Sequence, residues 1–474
     1  MKTSLILVLL VLLAGCKGTP TRGEKEARRE VQAVAGAYRP EGRRPELPAL
    51  TSQSSLSNFL TYALLNQPQV EAAYFDWLAS VEGITVARSL PDPQLTFQMD
   101  IQELVTSLMP GLMMSFPGAG KLRAAGAVAA AESRAQYFAF RSASLQSAYA
   151  VERAYYQLYF LEEKIRVNRE NLTLLADLAK LAGAQNEVGK VTLQDVLRAQ
   201  IEQSRVETEI ANLEDSRTAL LAQFKAALGL GADQPAPPVP QRFESAPLDL
   251  SPEQLLEAAL AQNTRLKGMA AEVRAAEAAI TQAYKARMPD ASLGLMADVK
   301  MSPTMYRPWG SVSIPLWRDK LAAEVAQAQA NKRAGEARLS AEQIALAVAV
   351  AEGAFVFREA SRNLELLQRL LLPKQRQSLE IARSGYLAGQ IDFFNLTDTE
   401  QTLLRFGLDE VEARTQRELS LTELSLIVQG MPPSSEGMGS TAAQAAPPAG
   451  GMGASGGGML PGGSGASRKT KGGM

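Results

Sequence analysis

The chain has 474 residues, its 49 lysines and arginines nearly balance its 50 aspartates and glutamates, and it contains one cysteine and no histidine. A net charge near zero gives no reason to expect a nucleic-acid partner. Without histidine, Ser/His/Asp and Cys/His catalysis and every histidine-ligated metal site are excluded. The sequence also lacks a phosphate-binding glycine loop. We therefore expect no enzymatic activity, no metal site and no cofactor beyond a covalent lipid.

Residues 1–15 are predicted to be a signal peptide, because Lys2 is followed by a short apolar stretch between Leu5 and Leu13. The segment from Leu13 to Cys16 is typical of a bacterial lipobox, which makes Cys16 the predicted lipidation site. An ordinary signal peptide with an incidental cysteine is the alternative. The remaining chain has no run of about 20 apolar residues, so we expect β-strands to make any membrane crossing.

Two pairs of strands are predicted from their alternation of apolar and polar residues. The first pair covers about 93–101 and 111–117, and the second covers about 291–301 and 309–316. Each hairpin lies between very long helices, and a lone two-stranded ribbon is marginal in water. Four strands are also too few to close a membrane barrel, whose small form has about eight. We therefore expect other subunits to supply further strands, the alternative being two hairpins of a soluble sheet.

Long helices follow the hairpins, over about 119–184 and 320–383, and each would be on the order of 100 Å long. Apolar residues at spacings of three and four predict a coiled-coil seam near the far end. Pro373 is predicted to kink the second helix. The returning helices, about 192–228 and 392–428, are roughly half as long. We expect the helices that precede the hairpins to extend them end to end.

Each long helix ends in a turn, and the two turns resemble each other. Gly385 and Gly389 are predicted to end the second long helix, since glycine readily takes a positive φ. Asp392 is predicted to cap the helix that returns. About two hundred residues earlier, Gly189 and Thr192 occupy positions that match Gly389 and Asp392. This correspondence predicts an internal repeat.

The patterns divide the chain into six segments. They are a lipoprotein signal peptide (1–15), a lipidated and mostly extended lead-in with at most a short helix near Glu24–Ala35 (16–55), a first structural repeat with its turn at about 184–191 (56–228), a proline-rich linker (229–250), a second repeat with its turn at about 384–391 (251–429), and a tail rich in Gly, Ser and Met that is predicted to be disordered (430–474).

The lipobox, the duplicated order of helix, hairpin, long helix, turn and short helix, and the Gly-Tyr-x-x-Gly motif at Gly385–Gly389 together resemble the lipoprotein branch of the TolC-type outer membrane efflux factors. The resemblance implies an α+β membrane protein. Its homotrimer would form a twelve-stranded outer-membrane β-barrel, continued by a periplasmic α-helical barrel with coiled-coil tips. It also implies a passive channel of a tripartite efflux system, which works with a periplasmic adaptor (a membrane fusion protein) and an inner-membrane pump.

The resemblance also implies roles for individual residues. The implied adaptor-contacting positions are Gly189, Val191, Gly385 and Gly389. The implied periplasmic gate residues are Asn395, Asp398, Tyr386 and Ile391. Alternate strand residues would face lipid (Leu95, Phe97, Met99, Leu293, Leu295) or the lumen (Thr96, Gln98, Asp100, Asp298).

The sequence departs from the family pattern at three positions in or beside the two turns. Gln185 stands where the second turn has Gly385, Asn395 stands at an acidic position, and Ile391 replaces a basic residue. The acidic ring would then hold three charges rather than six, from Asp398 alone. An apolar constriction formed by Ile391, Phe393 or Phe394 would be an alternative to a polar latch.

Two other functions fit the same patterns. The channel could be a protein-export conduit of a type I secretion system rather than an efflux channel. The chain could instead be a non-channel periplasmic coiled-coil lipoprotein anchored only by Cys16. The second alternative predicts no integral strands and release from the membrane when the lipid is absent.

Overall fold

The computed structural model of the chain describes residues 20–101, 105–189, 192–241, 243 and 251–430. Cys16 and the signal peptide, Val191 of the first turn and residues 431–474 of the tail lie outside the described residues. The described helices are α1 (Arg22–Tyr38), α2 (Leu56–Asn66), α3 (Pro68–Arg88), α4 (Lys121–Glu187), α5 (Leu193–Ala227), α6 (Pro252–Gln262), α7 (Thr264–Lys285), α8 (Arg318–Leu366), α9 (Leu372–Leu387) and α10 (Phe393–Gln429). The described strands are β1 (Gln94–Ile101), β2 (Val105–Phe116), β3 (Asp290–Asp298) and β4 (Met305–Ser313).

The strand bounds differ from the predicted ones where proline occurs. β2 begins six residues before the predicted start at 111, and β4 covers Met305–Ser313 rather than 309–316. Pro110 and Pro308 lie inside these strands, and the prediction began each strand after its proline. Proline removes one ladder donor but its φ remains compatible with an extended backbone. β3 ends at Asp298 rather than at 301 because the turn into β4 begins there.

The four strands form one antiparallel sheet in the order β1-β2-β3-β4, so the two hairpins pair with each other through β2 and β3. Cross-strand partners lie on the same face, and the register therefore defines two faces. The apolar face carries no polar side chain apart from the hydroxyl of Tyr306, and its members are Leu95, Phe97, Met99, Leu108, Pro110, Leu112, Met114, Phe116, Ala291, Leu293, Leu295, Ala297, Tyr306, Pro308, Gly310 and Val312. The mixed face carries polar residues, glycines, one tryptophan and methionines, and its members are Gln94, Thr96, Gln98, Asp100, Ser107, Met109, Gly111, Met113, Ser115, Asp290, Ser292, Gly294, Met296, Asp298, Met305, Arg307, Trp309, Ser311 and Ser313.

The long helices pair with their returning helices as the spacing predicts. α4 packs against α5, and the helical stretch from α8 to α9 packs against α10. The predicted seam of α4 is buried at six positions, Leu158, Leu161, Ile165, Asn168, Leu175 and Ala182. On α5 it is buried at Ala199, Val206, Ile210, Phe224 and Ala227.

Both predicted helices that precede the hairpins are in fact broken in two, and the break forms a joint. Asn66, between α2 and α3, donates its side-chain amide to the carbonyl oxygens of Leu228 (2.9 Å) and Gly229 (3.0 Å) at the end of α5. Asn263, between α6 and α7, donates in the same way to Ile427 O at 2.9 Å near the end of α10. Each returning helix is therefore continued end to end by the helix that leads to the sheet, as expected. We call these two contacts the helix joints.

Glycine permits the close approach at each helix joint. Gly229 and Gly430 both have positive φ, 71° and 135°. A Cβ on Gly229 would lie 2.8 Å from Asn66 O, and one on Gly430 would lie 2.5 Å from Thr264 N. The break after Asn66 follows from Pro68, which cannot continue a preceding helix. No proline marks the second break, where Asn263 caps α7 by accepting a hydrogen bond from Leu266 N at 2.9 Å.

The second long helix is distorted where a kink was predicted. A π-helical turn, Leu367–Leu371, separates α8 from α9, and Pro373 lies in the first turn of α9. Proline lacks an N–H and its ring crowds the carbonyl four residues earlier, here Arg369 within the π-helical turn. The extra residue of that turn accommodates Pro373, so the helix continues to Leu387.

One described helical stretch, Arg318–Leu387, passes a length and composition test for a membrane-crossing helix. The sequence predicted no membrane-crossing helix, and a single helix that passes this test is weak evidence for one. The stretch has 70 residues and would extend about 105 Å, whereas the hydrocarbon core of a bilayer is about 30 Å thick. Its apolar character comes partly from exposed side chains such as Ile344, Val348 and Phe355.

Part of the lead-in is a docked helix, α1 (Arg22–Tyr38), because Glu24 fixes it to the body of the protein, whereas residues 43–55 form no helix or strand. The Glu24 carboxylate is almost fully buried, and it accepts hydrogen bonds from Arg88, Thr85 (2.8 Å) and Arg28 (3.3 Å). The hydrogen bond from Arg88 is the main reason that the pKa of Glu24 is lowered to about 2. The predicted short helix at Glu24–Ala35 thus extends over Arg22–Tyr38 because these tertiary contacts stabilise it.

Replacing Glu24 should release α1. We expect Glu24→Gln to lower the free energy of unfolding by up to about 3 kcal/mol at pH 7, because a lowered carboxylate pKa stabilises the folded state above the unfolded pKa of about 4.5. This difference should shrink as the pH falls towards 2. Thermal unfolding and limited proteolysis of α1 at both pH values measure it. Glu26→Gln, which changes an exposed carboxylate of the same helix, is the control, and equal effects of the two substitutions would contradict the assignment.

Candidate functional site: the helical tips

The turns at the ends of the two long helices each contain a glycine with positive φ. Gly189 has φ of 72° and Gly389 has φ of 73°. Thr192 caps α5 and exchanges hydrogen bonds with Asp195 in a capping box. Asp392 caps α10 by accepting a hydrogen bond from Asn395 N at 2.8 Å. The predicted match between Gly189 and Gly389 and the predicted cap at Asp392 are confirmed.

Gly385 has a different structural role from the predicted one. It lies inside α9 without a positive φ, so it does not end the helix. Its missing side chain makes room for Ile391, because a Cβ at this position would lie 2.7 Å from Ile391 Cδ1. Its carbonyl also accepts a hydrogen bond from Gln390 N at 2.8 Å. Gly385 therefore allows the turn to fold back tightly onto α9.

A side chain at Gly385 should open this turn. We expect Gly385→Ala to destabilise the tip by about 1–3 kcal/mol through overpacking against Ile391, minus a gain of about 0.5–1 kcal/mol from the better helix former. Amide hydrogen exchange at the tip measures the effect. Gly183→Ala is the matched control, because nothing lies within 4 Å of a Cβ at that helical position. The control should leave exchange unchanged or slow it, and the same slowing in Gly385→Ala would refute the steric role.

Tyr386 lies where the two helical hairpins meet. Its ring contacts Phe393 with the centroids 5.9 Å apart, and it packs against clusters that include Ala182 of α4 and Ala199 of α5. Burial raises the pKa of the Tyr386 hydroxyl, and the charge of Asp195 acts in the same direction. Among the described residues this buried hydroxyl has no hydrogen-bond partner. Tyr386 thus joins the first tip to the second within one chain.

The other predicted gate residues differ in exposure. Ile391 is half-buried against Gly385, and the neighbouring Phe393 is buried. Phe394 is 52% exposed, with the guanidinium of Arg198 5.0 Å from the centre of its ring. The exposed aromatic ring after the second turn is therefore Phe394 rather than Phe393.

Asn395 and Asp398 are both exposed and lie three residues apart in the first turns of α10. Residues at this spacing are neighbours on the same face of a helix. Their side chains therefore face solvent together, next to the tip. Val191 and Cys16 lie outside the described residues.

Sequence analysis missed Glu400, an acid in the interior of the helical tip. The side chain is 1% exposed, and neither carboxylate oxygen has a hydrogen-bond partner among the described residues. It lines a cavity of about 920 Å³ between α4, α9 and α10, whose walls include Leu178, Leu396 and Arg383. Burial raises the pKa of Glu400 to about 7, and Arg383 offsets this only in part. Its spacing of four residues from the buried Leu396 could have revealed an acid on the seam.

Glu400 should make the stability of the tip depend on pH. Because its folded pKa lies above the unfolded value of about 4.5, the folded state loses stability as the pH rises from about 4.5 through 7. The loss should reach at most about 3 kcal/mol. We expect Glu400→Gln to remove it, so that the variant is the more stable protein at pH 8 and not at pH 5. Hydrogen exchange at both pH values measures this. Glu380→Gln, an exposed acid on the same cavity, should retain the pH dependence, and a flat wild-type profile would exclude the effect.

A four-stranded sheet continued by two long helical hairpins is the fold of solved outer-membrane channels. The outer membrane protein VceC from Vibrio cholerae superimposes with a TM-score of 0.66 at 17% identity, over 79% of this chain and 96% of VceC. The outer membrane channel MtrE from Neisseria gonorrhoeae, solved in an open state, gives a TM-score of 0.64 at 15% identity, over 82% of this chain and 94% of MtrE. The predicted fold class is confirmed.

Sequence comparison places the chain more narrowly. It is 23% identical over 341 residues to the cobalt-zinc-cadmium resistance protein CzcC of Cupriavidus metallidurans, which covers 68% of this chain and 77% of CzcC. Residues 60–230 and 255–428 match the outer membrane efflux protein family. The chain belongs to this family, which confirms the resemblance to TolC-type factors and the predicted location in the outer membrane. The family and the fold are those of channels, not of enzymes.

Proposed function

We propose that three copies of this chain form the outer-membrane conduit of a tripartite efflux system. The channel is passive, and the energy comes from an inner-membrane pump that a periplasmic adaptor connects to it. The sheet is the observation that carries this proposal. Its apolar face exposes large side chains, among them Phe97 at 67% and Leu293 at 61%, and a surface of this kind is stable in lipid rather than in water.

The edges of the sheet support a trimer. β1 and β4 each have a strand neighbour on one side only among the described residues, and unpaired edges have no place in a bilayer. Pairing β4 of one copy with β1 of the next closes twelve strands around a lumen. The apolar face then meets lipid and the mixed face lines the lumen.

The tips are proposed as the periplasmic end of the channel. Asn395 and Asp398 are exposed beside the second turn, so a threefold arrangement would bring three Asp398 carboxylates around one axis. Tyr386 and Ile391 would hold the tips closed. The turns at Gly189, Val191, Gly385 and Gly389 would contact the adaptor. An adaptor that binds the open arrangement more tightly would shift the gate towards it.

The remaining assignments belong to the same proposal. The division into repeats at 56–228 and 251–429 is supported by the two ranges that match the family.

Lipid on Cys16 would anchor the chain in addition to its strands. The non-channel spacer predicts a different outcome, because Cys16→Ser behind a cleavable signal would then release the protein from the membrane.

Removing the Asp398 charge should loosen the closed channel. We expect Asp398→Ala to raise the single-channel conductance of the trimer in a planar bilayer several-fold and to weaken block by divalent cations, because three repelling carboxylates no longer bind a counter-cation. Asp409→Ala, an exposed acid farther along α10, should change neither quantity. Unchanged conductance and unchanged block in Asp398→Ala would contradict the assignment of Asp398 to the gate. A protein that never conducts would refute the proposed channel function.

A further inference from the structure

The mixed face of the sheet carries four methionines. They are Met109, Met113, Met296 and Met305. In the trimer this face borders the lumen, where polar side chains are expected. The four methionines occupy three consecutive cross-strand rows, within about 14 Å along the strands.

Packing alone does not account for the choice of methionine. On the apolar face, leucine is the commonest large aliphatic residue, at five positions (Leu95, Leu108, Leu112, Leu293, Leu295). On the mixed face, between Gln94 and Ser313, every large aliphatic residue assigned above is methionine. Leucine has nearly the same volume, so a need for carbon volume would not separate the two faces in this way. The property that methionine adds is its thioether sulfur.

One row places a carboxylate between two of these methionines. Asp298 pairs with Met305 on β4. On its other side the β2–β3 register continues through the hydrogen bond from Val299 N to Leu108 O (3.0 Å), which sets Met109 beside Asp298. Directly opposed residues in antiparallel strands have Cα atoms about 4.5–5.5 Å apart. Both Met109 and Asp298 are almost fully buried, at 1% and 2% exposure.

A glycine makes room for a third methionine next to this row. Met296 precedes Asp298 by two residues on the same face of β3, and its opposite residue on β2 is Gly111. A Cβ on Gly111 would lie 2.6 Å from Met296 Cγ. The Met296 side chain therefore lies over β2 at Gly111, which is two residues from Met109 on the same face. Three methionines and one aspartate thus occupy two adjacent rows of the mixed face.

We infer that Met109, Met296, Met305 and Asp298 form a luminal binding site for soft monovalent cations, Cu(I) or Ag(I), that pass through the channel as cargo. Neutral thioethers are soft ligands that select such ions, whereas zinc and cobalt prefer imidazole, thiolate and carboxylate. The Asp298 carboxylate supplies one negative charge for one positive ion. This inference rests on the proposed function, because it requires the mixed face to line the lumen.

Silver binding to the full-length trimer tests the site. Silver nitrate is titrated in chloride-free buffer into the wild type, the luminal variant Met109→Leu/Met296→Leu/Met305→Leu and the control variant Met99→Leu/Met114→Leu on the apolar face. All three proteins keep the same tail methionines. We expect the luminal variant to bind at least one silver ion fewer per chain, and the control to bind as many as the wild type. Equal silver binding by the two variants would overturn the site.

Two further measurements separate this result from misfolding and from failure of the channel. Asp298→Asn, a single nearly isosteric change, should weaken silver binding about tenfold or more without altering trimer mass, and unchanged affinity would exclude Asp298 from the site. Silver X-ray absorption should show sulfur neighbours that decrease in the luminal variant only. Conductance without silver tests the channel on its own, so a conducting trimer whose silver binding is identical in all variants refutes the site and leaves the proposed function intact.

Discussion

The two helix joints are the constraint on which the architecture depends. The last carbonyl groups of a helix have no partner within it, and each returning helix is only about half as long as the helix it packs against. Asn66 and Asn263 supply the missing donors to Leu228, Gly229 and Ile427, while Asn263 also caps the next helix. One amide therefore ends one helix and starts another. Each joint therefore connects a returning helix to the helix that leads to the sheet.

At the other end of the molecule, the sheet needs lipid and neighbouring subunits in order to be stable. Its apolar face is exposed, and the outer edges of β1 and β4 are unpaired within the described residues. In water, an exposed apolar face and unpaired strand edges both favour aggregation. In the proposed trimer, lipid covers the apolar face and neighbouring copies pair with the outer edges. The same two features that destabilise the single chain in water therefore determine how the copies assemble. The pairing of β2 with β3 means that the two repeats contribute one continuous wall rather than two separate ribbons.

The periodicity of apolar residues in the sequence was sufficient to predict most of the helices and strands and the residues that share a face. The alternation at Leu95, Phe97 and Met99 predicted which residues share the apolar face of the sheet. The spacing from Leu158 to Ala182 predicted the buried face of α4. Both predictions depend only on residue type and spacing. What sequence could not supply depends on contacts between distant segments. The break at Asn263 has no proline to mark it, and the role of Gly385 is visible only once Ile391 lies against it. The spacing of Glu400 could place it on the seam, but its lack of a hydrogen-bond partner among the described residues is visible only after α4, α9 and α10 are brought together. The luminal methionines needed the strand register.

Stability is therefore distributed unevenly along the molecule. At the joints the last carbonyl groups of the returning helices accept hydrogen bonds from asparagine side chains, and glycines let the backbones approach closely. At the tips the buried Glu400 carboxylate and the Tyr386 hydroxyl have no partners among the described residues. Each such group costs about 1–3 kcal/mol or more when left unpaired, so the tip in this conformation has a raised free energy. Regions that move in switching are drawn from the least stable parts of a structure. A partner that provides even part of the missing polar contacts in another arrangement can therefore move the tips while the helical wall behind them stays unchanged.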